Sequence, residues 1–180
     1  MGTDQKSTGS FREFRELVAE DFNTHERSFL RPGFQAIFMY RFGFWASRIR
    51  SKPLRLIPSI LYKVMHVFIR NVYGIELYYT AKIGRRFRIA HQSGINIHHD
   101  AVIGDDCMVR QGVTLGNGPK PGAPQLGNRV RVGVGAIICG GVTIGDDVNI
   151  GPNAVVAMDV PANRIVTSPI PKILPAAPQE

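Results

Sequence analysis

Residues 83–156 read IGRRFRIAHQSGINIHHDAVIGDDCMVRQGVTLGNGPKPGAPQLGNRVRVGVGAIICGGVTIGDDVNIGPNAVV. The branched apolar residues in this stretch keep a six-residue beat. Ile83, Ile89 and Ile95 are six apart, as are Ile97, Ile103, Val109 and Leu115. The step resumes at Leu126, Val132, Ile138, Ile144, Ile150 and Val156. Glycine often follows the aliphatic residue, as at Gly84, Gly104, Gly127 and Gly145. The position four on is small or β-branched: Ser93, Ala101, Cys107, Val113, Val130, Ala136, Val142, Val148 and Ala154. Six is not near a multiple of 3.6, so a helix does not produce this pattern. A hexapeptide repeat predicts a parallel β-helix, each short strand sending one aliphatic side chain inward. Glycine and small residues suit the corners, where a bulky Cβ would clash.

Two interruptions carry information. The step from Ile95 to Ile103 is eight, a two-residue slip close to His91, His98 and His99. The step from Leu115 to Leu126 is eleven, and the excess is the Pro- and Gly-rich GNGPKPGAPQ, expected to leave the coil as an exposed loop over 117–125. Function on a solenoid often gathers where an insertion departs from the scaffold.

Upstream of the repeat the pattern is helical. Residues 1–10 read as a flexible polar start, and Gly2 with Ser7 only loosely resembles an acylation signal. Ser10 with Glu13 forms a capping box for a helix over about 11–22. Pro32 opens a second, heavily apolar helix to about Arg50, and a third is predicted over about 57–73. On the third helix Arg55, Lys63 and Arg70 cluster beside an apolar face. That face fits packing against a neighbour, or an anionic membrane surface. The organisation expected is a helical segment over 1–75, a β-helix over 76–165 and a C-terminal tail over 166–180 with several prolines.

The formal charge is +8, unevenly spread. Residues 1–75 hold twelve basic and six acidic side chains, and no Asp or Glu lies between Glu26 and Glu76, where nine Arg or Lys do. A one-signed stretch of this kind suits an anionic neighbour. Nucleic acid is not favoured, for lack of any reader motif. Cys107 and Cys139 have no metal-type spacing and fit free thiols in a cytoplasmic protein.

The segment IGRRFRIAHQSGINIHHDAVIGDDCMVRQGVTLGNG resembles the hexapeptide-repeat serine acetyltransferases, whose active segment reads like IGxGIxxDHxTGIVIxxTAxIGxxxxIxxxVTLGG. PGFQAIFMYRFGFW is similar to that family's (K/P)GFHALxxYRxxHW, and the likeness covers roughly residues 11–175. It implies a left-handed parallel β-helix of hexapeptide repeats with an N-terminal α-helical segment. It also implies O-acetyl transfer with acetyl-CoA as co-substrate and no metal, in a homotrimer that the helical segment can extend to a hexamer. Carried over position by position, His91 is the catalytic histidine and Glu76 the carboxylate that orients it. Gly116, Gly135, Asn153 and Lys172 fall on acetyl-CoA positions. Asp21 falls loosely on an acceptor position, and His98 is a rim residue that could touch the acceptor.

The departures bear on the acceptor. Ala90 stands where the family has Asp before the histidine, and Ala123 stands where it has a second histidine, whose neighbouring arginine is also missing. Those groups grip an amino acid's charged ends, so the pattern leans to a sugar of a polysaccharide or lipid-linked precursor, as in acetyltransferases of the exopolysaccharide type. Such an enzyme would work in the cytoplasm, in peripheral contact with the inner membrane face. L-serine, yielding O-acetylserine for cysteine synthesis, is the alternative acceptor. A zinc hydratase on the same fold would need three converging histidines, and a non-catalytic scaffold would leave the His91–Glu76 pair unexplained.

Overall fold

The inward aliphatic row becomes three parallel sheets wound into one coil. The computed structural model describes residues 10–169; the polar start, Lys172 and the last prolines of the tail lie outside them. Three helices come first: α1 (Phe11–Thr24), α2 (Pro32–Ser47) and α3 (Lys52–Tyr73). Fourteen short strands follow, from β1 (Ile75–Leu77) to β14 (Ile165–Val166). The sheets run β1-β4-β7-β10-β13, β2-β5-β8-β11 and β3-β6-β9-β12-β14. Each strand pairs in parallel with one three places on, so three strands make one coil, until β14 closes directly on β12.

The rows stack by residue type. Leu77, Ile97, Leu115, Ile138 and Val156 form one inward column, and Ile83, Ile103, Leu126 and Ile144 another. All are buried. Full burial of each such side chain contributes about 1.5–3 kcal/mol, which is why two-residue strands suffice. The small row (Ala101, Cys107, Val113, Val130, Ala136) fills the corners from inside. Burial pushes the Cys107 thiol up to about 12, so it stays protonated.

The register moves the eight-residue slip. Asn96 pairs with Thr114 and Ile97 with Leu115, so Ile97, and not Ile95, belongs to the aliphatic column. Ile95 takes the place that Val113 and Ala136 hold in later coils. The two extra residues therefore sit before Ile95, in the corner 90–94 that carries His91. Ser93, placed by the beat in the small row, is instead exposed at φ 89° in this widened corner.

The other loop also differs from expectation. Residues 117–122 are exposed but lie along the next coil: Gly141 N donates to Lys120 O (3.0 Å), and Lys120 Nζ reaches the Asp159 carboxylate (3.2 Å). Ala123 and Pro124 turn inward and are buried. The third helix starts at Lys52, five residues before the predicted start. Pro53 falls in its first turn, where no amide donor is needed, and Pro58 is absorbed inside the helix.

Polar contacts dock the helices on the first coil. Tyr40 Oη donates to Ala81 O (2.8 Å) and accepts from Ile83 N (3.1 Å). Arg41 Nε donates to Asp21 Oδ2 (2.8 Å) and its Nη1 to Ile83 O (2.9 Å). Gly33 meets β3 closely; a Cβ there would lie 2.1 Å from Ile89 O, so only glycine lets α2 start against this strand.

His25 adds a pH-dependent anchor. Its Nδ1–H donates to Asp21 O (2.7 Å), and its Nε2 accepts from Ile89 N (3.2 Å). Only the neutral ring can do both, and burial holds its pKa below the ordinary 6.5. Unfolded histidine therefore binds a proton first. The His25 contribution is complete above about pH 6.5 and is lost as pH falls towards the folded value. Half-buried His66 is depressed by burial too and acts in the same sense. Thermal melts between pH 7.5 and 5 should show falling Tm, with a shallower slope in His25→Gln, whose amide oxygen keeps the Ile89 bond without titrating. Equal slopes would remove His25 as an acid-sensitive anchor.

Candidate active site

The widened corner puts His91 on the surface at the start of the third corner column. Gly94, Gly112 and Gly135 stack there with φ of 67°, 73° and 67°. At these positive φ values any side chain would be strained, and a Cβ on Gly135 would also displace Asn153 Oδ1, 2.3 Å away, so the corner favours glycine. Gly135 and Asn153 therefore lie two and three coils from the His91 corner, roughly 10 and 14 Å at the usual strand spacing. Gly116 ends β7 on the opposite rim of the same sheet and accepts from Gly140 N (2.9 Å). These positions edge one sheet, along which an extended molecule could lie. Lys172 falls outside the described residues.

His91 borders a small polar cleft with Arg31, Gly33, Arg88 and Gln92. His25 and Glu26 close its other side. Glu26 pairs with both Arg31 and, at 3.1 Å, Arg88. Glu26 and Arg27 both adopt left-handed conformations (φ 61° and 53°), a turn that holds the carboxylate between the two guanidiniums. One acid between two bases leaves the cleft positive. Sequence reasoning did not single out Glu26, Arg31 or Arg88; their common register beside His91 comes only from α2 meeting β3.

Two expected roles meet a different geometry. Glu76 does not orient His91 within this chain: it accepts from Tyr78 Oη instead, and among the described residues no hydrogen bond joins it to His91. The residue two places along the same strand edge captures the carboxylate first. Asp21 is not an open acceptor contact. It is fully buried, paired with Arg41, and burial raises its carboxyl pKa against the arginine's pull. His98 stacks on His99 (4.2 Å between centroids), and its Nδ1 accepts from Asp100 N (3.1 Å). His98, His99 and Asp100 bring three donor atoms within 4.8 Å of one another on an exposed turn.

The structure is thus a parallel β-helix of hexapeptide repeats with a histidine raised on a widened corner. Residues 123–157 match the family described as bacterial transferase hexapeptide (six repeats). The serine acetyltransferase of Synechococcus elongatus is 38% identical over 138 residues, 75% of this chain and 54% of the relative, so the chain spans about half that protein's length. WcaB of Escherichia coli K12, named a putative colanic acid biosynthesis acetyltransferase, is 34% identical over 153 residues, covering 83% of this chain and 93% of that one. Among solved structures, Neisseria gonorrhoeae serine acetyltransferase in complex with serine superposes with a TM-score of 0.74 at 26% identity, over 97% of this chain and 72% of that one. The chain belongs to the hexapeptide-repeat acetyltransferases of the serine acetyltransferase type, and its fold is their left-handed parallel β-helix with N-terminal helices.

Proposed function

We propose that the chain transfers an acetyl group from acetyl-CoA to a hydroxyl of a saccharide. The observation that carries this is His91, exposed on the widened corner between a polar, positive cleft and a column of tight glycine corners. The imidazole removes the hydroxyl proton as the oxygen attacks the thioester carbonyl. A tetrahedral oxyanion forms, and its collapse breaks the C–S bond. The imidazolium returns the proton to the leaving thiolate, so the products are the acetyl ester and free CoA. Backbone amides at a glycine-rich corner suit the oxyanion. Histidine is the side chain best matched to this shuttle near neutrality.

The saccharide preference rests on the loop. Ala123 occupies the place of the family's second histidine and is buried in packing, so it offers nothing to an amino acid's carboxylate or ammonium. Arg31 and Arg88 instead favour an acceptor with an anionic substituent. The similarity to WcaB, named for a polysaccharide, points the same way. Serine is the second reading, favoured by the similarity to the Synechococcus and Neisseria enzymes.

The proposed working unit is a trimer, since sheet β1-β4-β7-β10-β13 turns Ile137 and Val155 outward. A thiol-release assay with acetyl-CoA against L-serine, homoserine and nucleotide sugars tests the acceptor. At least tenfold higher kcat/KM with a sugar is expected, largest for one bearing a uronate. Serine outpacing every sugar would overturn the saccharide reading, and no thiol release with any hydroxyl would overturn the transferase itself.

A further inference from the structure

The apolar side chains that the core leaves out are concentrated on α3. Leu54, Leu56, Ile57, Ile60, Leu61 and Val64 are all exposed, Ile57 at 76%. Val67, Phe68 and Val72 continue the same face. Wound at the α-helical repeat, these residues sweep roughly 160° of the helix circumference. Tyr62, Ile69 and Tyr73 occupy the packed side, with half-buried Arg55 at its edge, and Lys52, Lys63 and Arg70 fall between the packed and exposed sectors. Three faces therefore run along one 22-residue helix: docked, basic and bare apolar. Beside it opens an apolar cavity of about 490 Å³, lined by Phe34, Phe38, Val64 and Phe68, so the bare face continues into a groove.

We propose that α3 lies in the surface of an anionic lipid bilayer, its apolar face among the acyl chains and its basic strip at the headgroups. The occupant follows from charge. A second copy packed helix-to-helix would set basic strips near each other, and residues 27–75 contain no Asp or Glu to neutralise them. Anionic headgroups would do so. A copy of the chain has a better seat on the sheet face of Ile137 and Val155, whose next neighbours in the row are the neutral Thr114 and Asn96. No described helix is long and apolar enough to cross a membrane, which fits an in-plane placement. The surface is separate from the His91 cleft, so the inference does not depend on the proposed acceptor.

Vesicle flotation tests it, with phosphatidylcholine alone and with about one third phosphatidylglycerol. The chain should float with the anionic vesicles, and high salt should weaken the association. Ile57→Asp with Ile60→Asp, and separately Lys52→Gln with Lys63→Gln, should each lower partitioning by about tenfold or more. Melting temperature and the mass by light scattering should stay unchanged. No flotation with anionic vesicles, or flotation undiminished in both variants, overturns the proposal. So does a drop in oligomer mass in the aspartate variant, which would make the face a subunit contact. Thiol release with a soluble acceptor reads the active site separately: its loss in every form, with flotation intact, would count against the transferase reading alone.

Discussion

His91→Ala should lower kcat for acetyl transfer by on the order of 10²–10⁴-fold, the range general-base removal costs. The fold should not notice. His91 is exposed in a corner that the register has already widened, and among the described residues no hydrogen bond depends on its ring. Stability is therefore expected to move by no more than about 0.5 kcal/mol, as at other open surface positions. The KM for acetyl-CoA should hold, because Gly135 and Asn153 lie two and three coils away. Glu76→Gln gives the contrast. Its carboxylate holds Tyr78 and not His91, so its effect on kcat should be well under that of the histidine. Steady-state thiol release with circular dichroism melts on the same preparations checks both. Near-normal turnover in His91→Ala would remove the proposed base. An equal loss in Glu76→Gln would show that the carboxylate leaves Tyr78 and reaches His91 during turnover.

What the sequence made legible was the periodic part. A six-residue beat determines which residues point inward, so the three sheets, the buried rows and the exposed loop position could be read from spacing. Single displacements inside the beat were harder. Ile95 and Ile97 both fit a six-residue series and both are buried, and strand pairing shows that Ile97 alone continues the column. Spacing alone therefore puts the two extra residues after Ile95, whereas pairing puts them before it, in the corner of His91. Long-range polar contacts were not legible. Nothing local links Glu26 to Arg88, 62 positions later, or Asp21 to Arg41. The signal available for the second pair was Arg41 itself, a lone charge in the apolar run of α2, because a charge buried in such a helix must find a partner.

That pair sets the second large effect. Arg41→Met should destabilise the protein by about 3–5 kcal/mol, the usual result of removing one member of a buried ion pair. The Arg41 and Asp21 side chains are only 4% and 0% exposed, so water cannot replace what is lost. Asp21 Oδ2 would lose its donor while Oδ1 already lacks a partner, and the carbonyls of Ile83 and Gly84 would lose theirs. For a chain of this size the loss corresponds to a Tm drop of roughly 6–20 °C. The mechanism is separable from simple loss of packing, because methionine keeps most of the arginine's apolar stem. If the stranded carboxylate is the main cost, adding Asp21→Asn to Arg41→Met should recover part of the stability, while Asp21→Asn alone should destabilise. Simple additivity of the two changes would mean that the carbonyl contacts, and not the charge pair, hold α2 to the first coil. Either way the consequence reaches the catalytic corner, since the same helix sets Gly33 against Ile89, two residues before His91.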